Sequence, residues 1–196
     1  MIRRPPRSTL SSSSAASDVY KRQDKANVLE SSRLWRETVQ SMEKDHPNIS
    51  VSYEFVDAVA MRLIQWPKNY DVLVTENLFG DILTDEASVI TGSMGLMPSA
   101  SIGNENSLYE PIHGSFPQAA KKNIANPLAT ILSAAMMFEM SFGLKNESEF
   151  IKKVVDKSLK NEIVTEDLSS KKGKSFRTSE VGDFLVKEIL SNKSLI

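Results

Sequence analysis

Between Ala26 and Asp45, apolar residues recur at Val28, Leu29, Leu34, Trp35, Val39 and Met42, close to the 3.6-residue helical period, and the run stops before His46-Pro47. That spacing predicts an amphipathic helix. ISVSYEFV (49–56), rich in β-branched and aromatic residues, predicts a strand; DAVAMRLIQW (57–66) predicts a helix stopped by Pro67; DVLVT (71–75) predicts a short buried strand. A further helix is expected over 77–91. Glycine, proline, serine and asparagine then punctuate TGSMGLMPSASIGNENSLYEPIHGSFP (91–117), so no long regular element is expected there, and loops of that length commonly carry function. PLATILSAAMMFEMSFGL (127–144) is apolar around most of its circumference, which predicts a buried helix with Pro127 at its first position. ESEFIKKVVDKSLKN (147–161) and TSEVGDFLVKEILSN (178–192) predict amphipathic surface helices, and no internal repeat is present. Helical and strand patterns alternate, which predicts an α/β layered fold.

Composition changes the picture mainly at the N-terminal end. Residues 1–23, MIRRPPRSTLSSSSAASDVYKRQ, carry a serine run and almost no apolar periodicity, so they are expected to contribute nothing to a core. Their Arg- and Ser-rich, acid-poor character fits a transit peptide. The string also resembles translated sequencing-adapter read-through joined to a coding segment that begins near Asp24, and this is the preferred reading. Five of the 24 basic and one of the 25 acidic residues lie in it, so the remainder holds 19 bases against 24 acids, a net of −5. With 196 residues, 40% hydrophobic and 25% charged, the chain has a soluble globular composition and the length for a sizeable core. A formal net charge of −1 gives no electrostatic footprint for nucleic acid, and no apolar run reaches the roughly 18 residues a membrane span needs. Cysteine is absent, which excludes disulfides, thiolate nucleophiles and zinc–thiolate sites and fits a cytosolic or organellar-matrix protein. A cytoplasmic location is expected.

The candidate chemistry centres on Asp81 and Asp85, four residues apart in TENLFGDILTDEA. On a helix those positions share a face, where two like charges cost about 0.2–0.5 kcal/mol unless a cation compensates them. A divalent metal would supply that charge.

TENLFGDILTDEAS, LMPSASIG, YEPIHGS and IANPLATILSAAMM together resemble the isocitrate/isopropylmalate dehydrogenase family, its 3-isopropylmalate branch above all, in a match running from Asp24 to near the C-terminus. The resemblance covers about the second half of that family's usual chain. It implies part of a two-domain fold of mixed sheets flanked by helices, with 24–91 in the metal and dimerisation domain and 92–196 in the cofactor domain. It further implies that Asp81 and Asp85 bind Mg²⁺ or Mn²⁺ together with Asp57 reaching over from a partner subunit, hard oxygen ligands that suit those ions. Read from the residues alone, Asp57 is more readily a helix N-cap before AVAMRLIQW than a metal ligand; the resemblance favours the metal and allows both. Lys25 corresponds to the family's lysine that takes the substrate hydroxyl proton; by itself it reads as a solvated lysine. The family's adenosine-binding loop corresponds to YEPIHGSFPQAAKKNIANP. There Gly114 and Ser115 would let backbone approach the dinucleotide, His113 and Asn126 would contact adenine, and Glu110 would lie toward the nicotinamide. His113 reads otherwise as a turn histidine bonded to backbone. Gln118 stands where NAD-using members usually carry an aspartate; NAD remains the expected cofactor, with Lys121 and Lys122 read as a solvated face.

The implied activity is oxidation and decarboxylation of (2R,3S)-3-isopropylmalate to 4-methyl-2-oxopentanoate with NAD reduction, in leucine biosynthesis. The enzyme would be a homodimer, with helices near 28–45 and 77–91 at the contact, and with neither nucleic-acid nor membrane partners. The family's substrate-binding arginines and catalytic tyrosine lie upstream of the matched portion, so the matched portion alone is expected to be inactive. The alternatives are a sister β-decarboxylating dehydrogenase acting on homoisocitrate, tartrate or malate, and a non-catalytic dimerisation module.

Overall fold

The computed structural model describes residues 19–170 and 174–191. They divide into two compact units at Ala87/Ser88, within a helix and one turn before the boundary expected at 91/92.

The first unit runs β1 (Val19–Asp24), α1 (Glu30–Glu43), β2 (Ser50–Phe55), α2 (Val56–Gln65), a 3₁₀ turn at Pro67–Asn69, β3 (Val72–Val74) and the start of α3 (Asn77–Thr91). Its sheet has the order β2-β1-β3, with both pairs parallel. Asp24 pairs with Phe55, and Arg22 with Val74. Because parallel strands present their carboxyl ends at one edge, Lys25, Asp57 and the lead into α3 all leave the sheet on the same side, where ligands of such sheets bind.

Three expectations for this unit are corrected. Residues 19–23, expected to contribute nothing to the fold, form most of its central strand, and Gln23 is fully buried. Ladder hydrogen bonds come from the main chain, so a polar sequence can occupy the slot between β2 and β3. The fit is imperfect, since Arg22 Nε and Gln23 Oε1 are buried without hydrogen-bond partners. The expectations for residues 1–18 lie outside the described residues. Second, α1 begins at Glu30 and not near Ala26, because the Lys25 carbonyl accepts the N–H groups of Val28 and Leu29, both at 2.9 Å, in a turn. Its apolar positions split accordingly. Val39 is buried, whereas Leu34 and Met42 are 66% and 48% exposed. β3, expected to be buried, is only half-buried along its length.

The second unit holds the end of α3, a 3₁₀ turn at Met94–Leu96, β4 (Pro98–Ile102), β5 (Ser107–Pro111), a 3₁₀ turn at Pro117–Ala119, α4 (Leu128–Met140), α5 (Lys145–Lys160), a 3₁₀ turn at Glu166–Leu168 and α6 (Thr178–Ser191). β4 and β5, five residues each, pair antiparallel within the stretch where no long regular element was expected, a short hairpin that the sequence did not predict. The hairpin is hard to read from PSASI because small residues blur the alternation; only Ala100 is fully buried in that strand. Its turn depends on Gly103, whose N–H donates to the Asn106 carbonyl at 3.0 Å and where a Cβ would lie 2.5 Å from that oxygen. α4 packs on both hairpin strands and on α5, and α5 packs on α6. The core gathers Leu128, Val154, Val155, Val181 and Leu185. Pro127 occupies the N-cap of α4, with Leu128 the first helical residue. Gly92, at φ +86°, takes the left-handed conformation that closes α3. Among the described residues no helix is long and apolar enough to cross a membrane.

Candidate functional site

At the carboxyl edge of the parallel sheet, Lys25 Nζ donates to Asp57 Oδ1 at 2.8 Å. The lysine follows β1 directly, and the aspartate sits in the first turn of α2. Phe55, not Asp57, is the N-cap residue of that helix and makes no side-chain cap bond. The Asp57 carboxyl is held below its usual range, first by the Lys25 hydrogen bond and then by backbone N–H groups of the helix start, so it stays ionised and able to ligate. Its side chain is 68% exposed.

The turn carrying Lys25 is fastened from behind. Asp24, 1% exposed, accepts the Ala26 N–H at 2.9 Å and a bidentate pair from Arg36, Nε at 2.7 Å and Nη2 at 2.8 Å. The Arg36 guanidinium also lies over the Tyr53 and Phe55 rings, at 5.3 and 5.1 Å from their centroids.

Leu78, Asp81, Ile82 and Asp85 fall on one side of α3, and all four are exposed, Leu78 at 61% and Ile82 at 56%. The aspartates therefore stand in an apolar surface. The Glu76 side chain accepts the Phe79 N–H at 3.3 Å at the start of this helix. Asp57, Asp81 and Asp85 have the hard carboxylate oxygens a divalent ion requires, and all three are exposed. Yet among the described residues no three acidic, histidine or cysteine side chains gather into a metal-binding group.

In the second unit, the segment from β5 to α4 carries the expected cofactor residues. Glu110 lies on β5 and is exposed; Ser115 is exposed; Gln118 is exposed on the 3₁₀ turn. His113 Nδ1 lies 3.0 Å from the Gly114 carbonyl, the backbone bond of a turn histidine, which leaves Nε2 for another partner. A Cβ at Gly114 would meet nothing within 4 Å, so space is open in front of its backbone. Asn126 is more committed. Its Oδ1 accepts the Leu128 N–H at 3.0 Å, and its Nδ2 donates to Asp167 Oδ2 at 3.0 Å. Asn123, at φ +57°, ties the loop to α6: its side chain bonds Ser179 Oγ at 2.8 Å and accepts the Ser179 N–H at 3.0 Å, and Thr178 Oγ1 donates to the Ala125 carbonyl at 2.6 Å. The segment is thus held at its base while its tip stays open.

Residues 9–185 match the family described as isocitrate/isopropylmalate dehydrogenase. The chain belongs to that family. It is 56% identical over 163 residues to the 3-isopropylmalate dehydrogenase of Bacteroides fragilis (strain YCH46), covering 83% of this chain and 46% of that protein. To the 3-isopropylmalate dehydrogenase of Oceanobacillus iheyensis it is 52% identical over 167 residues, covering 85% of this chain and 46% of the relative. A solved structure titled isocitrate dehydrogenase from Methylococcus capsulatus superposes with a TM-score of 0.82 at 36% identity, over 87% of this chain and 50% of that one. The chain spans about half the length of the curated relatives it matches.

For this dehydrogenase-family chain, the sequence missed Asp24, Arg36 and Asp167 as supports of candidate site residues. Asp24 stands beside Lys25 in the sequence, which was a usable signal. Arg36 and Asp167 are 12 and 41 residues from their partners, and nothing in their local pattern marks them.

Proposed function

We propose that the protein carrying this chain is an NAD-dependent 3-isopropylmalate dehydrogenase of the cytoplasm, serving leucine biosynthesis, and that it acts as a homodimer requiring Mg²⁺ or Mn²⁺. The observation that carries this reading is the Lys25–Asp57 pair at the carboxyl edge of the sheet. It puts a proton-transfer group and a metal ligand within one hydrogen bond of each other. Identity above 50% to two proteins named for that activity supports the substrate assignment.

Asp57, Asp81 and Asp85 would hold the metal, which would supply Lewis acidity toward the substrate, and the loop from Glu110 to Asn126 would hold the dinucleotide, which would serve as hydride acceptor. Lys25 Nζ takes the hydroxyl proton as hydride leaves the carbinol carbon; the resulting β-keto acid loses carbon dioxide, and the enolate left behind takes up a proton at carbon to give 4-methyl-2-oxopentanoate. Asp57, Asp81 and Asp85 are the metal ligands. Lys25 bonds Asp57 of its own chain while Asp57 and the α3 pair do not gather among the described residues, which supports a site in which Lys25 and Asp57 of one subunit would face a metal held by Asp81 and Asp85 of the other. Exposed Leu34 and Met42 on α1, and Leu78 and Ile82 on α3, are the apolar surface buried in that dimer. On the cofactor side, Gly114 and Ser115 bring backbone to the dinucleotide, His113 Nε2 and the Asn126 segment face adenine, Gln118 bonds the ribose, and Glu110 lies toward the nicotinamide.

The test is NADH formation by the full gene product with Mn²⁺ on 3-isopropylmalate, homoisocitrate, tartrate and malate in parallel. The reading expects the highest kcat/KM on 3-isopropylmalate, with carbon dioxide released one for one. Preference for another of these acids would place the protein in a sister activity, and turnover of none would leave a dimerisation module.

A further inference from the structure

We infer that Arg36 is a positioning residue for Lys25, acting through Asp24; the inference rests on the proposed role of Lys25 in proton transfer. The geometry is that of a clamp with one exit. Asp24 is the last residue of β1 and is buried, and its two carboxylate oxygens together accept three hydrogen bonds, two of them from one planar guanidinium. The third, from Ala26 N–H, closes the backbone around Lys25. The Lys25 carbonyl is fixed in turn by the N–H groups of Val28 and Leu29. With backbone on both sides of Lys25 held, only its side chain is left to swing, and it points to Asp57.

Arg36 reaches the other half of the pair as well. Its guanidinium packs on Phe55, the residue that ends β2 and caps α2 two positions before Asp57. One side chain on α1 therefore fixes the strand end that carries the lysine and touches the strand end that carries the aspartate. Lysine cannot replace it, since an ammonium offers neither the bidentate fork nor the flat face that lies on Tyr53 and Phe55. A displacement of about 1 Å at a reacting group can cost about 100-fold in rate.

A buried ion pair could also serve stability alone, and the two roles separate in a double-mutant cycle. On the full gene product with Mn²⁺, NAD and 3-isopropylmalate, kcat, KM and the calorimetric Mn²⁺ affinity are measured for K25M, R36K, R36M and both double variants with K25M. The expected result is a fall in kcat of about 10- to 100-fold for R36K, with KM and Mn²⁺ affinity nearly unchanged and no additional loss once Lys25 is already methionine. In a crystal structure of R36K the Lys25–Asp57 distance should open from 2.8 Å. Should R36M fail to fold, R36K carries the test alone. Losses that multiply in the R36K/K25M double variant, or an R36K kcat equal to wild type, would overturn the inference. Wild-type kcat in K25M would overturn the role of Lys25 itself and the inference with it, a failure recognisable because K25M alone shows it.

Discussion

The Asp167 carboxylate accepts a hydrogen bond from the Asn126 amide at 3.0 Å, so the residue just before the N-cap of α4 is fastened to a segment 41 residues further along the chain. Ser93 and Thr165 hydroxyls donate to the same carboxylate. Desolvation by the surrounding protein pushes the Asp167 carboxyl up, but these three hydrogen bonds together outweigh it and hold the group below its usual value of 3.8. A carboxyl depressed on folding contributes stability above its unfolded pKa and loses it as pH falls through the folded one. The second unit should therefore weaken in acid from about pH 4 downward. Asp167→Asn should lower its melting temperature at pH 7 and flatten that acid limb, as read by circular dichroism at stepped pH.

Gly95 and Asn126 set a second prediction. A Cβ on Gly95 would lie 2.6 Å from the Asn126 Cβ, and Asn126 is tied at both ends of its amide, so it has little freedom to move aside. Gly95→Ala should destabilise the second unit by about 1–3 kcal/mol, the range for overpacking, as measured by urea denaturation.

Arg22 should be a case where removing a charge stabilises. Its Nε is buried with no hydrogen-bond partner, and burial pulls the guanidinium below its ordinary pKa. Valine suits a central parallel strand. Arg22→Val should raise the stability of the first unit by about 1–2 kcal/mol, within the cost of one unsatisfied buried group.

Tyr53 and Tyr70 are both pushed up to about 12, first by burial and then by hydrogen bonds to Glu43 and Glu54 respectively. A tyrosine raised on folding contributes stability that is complete below its unfolded value of 10.0 and is lost as pH rises toward 12. Ultraviolet titration should show both ionising late. Glu54→Gln removes the carboxylate that Tyr70 bonds at 2.8 Å and should bring that tyrosine part of the way back.

Much of this was legible in the sequence because it is local. The period of α5 and α6, the β-branched run of β2 and the spacing of Asp81 and Asp85 each live within one element, and the structure keeps them there. What was not legible depends on distant partners. β1 forms from polar residues because β2 and β3 leave a slot for a strand, and no alternation in VYKRQD announces that. The hairpin escaped because Ser, Ala and Pro at its inward and outward positions differ little in polarity. Asn126 reads in sequence as a ligand-binding residue, but its side chain already has a donor and an acceptor inside the chain. In the proposed cofactor site it would therefore contribute by its position in the loop more than by its amide.

The central claim is that the metal site is completed across two chains, with Asp57 from one and Asp81 and Asp85 from the other. It is tested by subunit complementation. Full-length D57N and D81N/D85N proteins are prepared separately, each expected to bind Mn²⁺ at least about tenfold more weakly than wild type, and are then unfolded together, refolded and titrated by calorimetry. The account predicts that random pairing restores wild-type affinity at about one site in four, because each hybrid dimer has one intact site. No restoration, or wild-type binding by either parent alone, would contradict it.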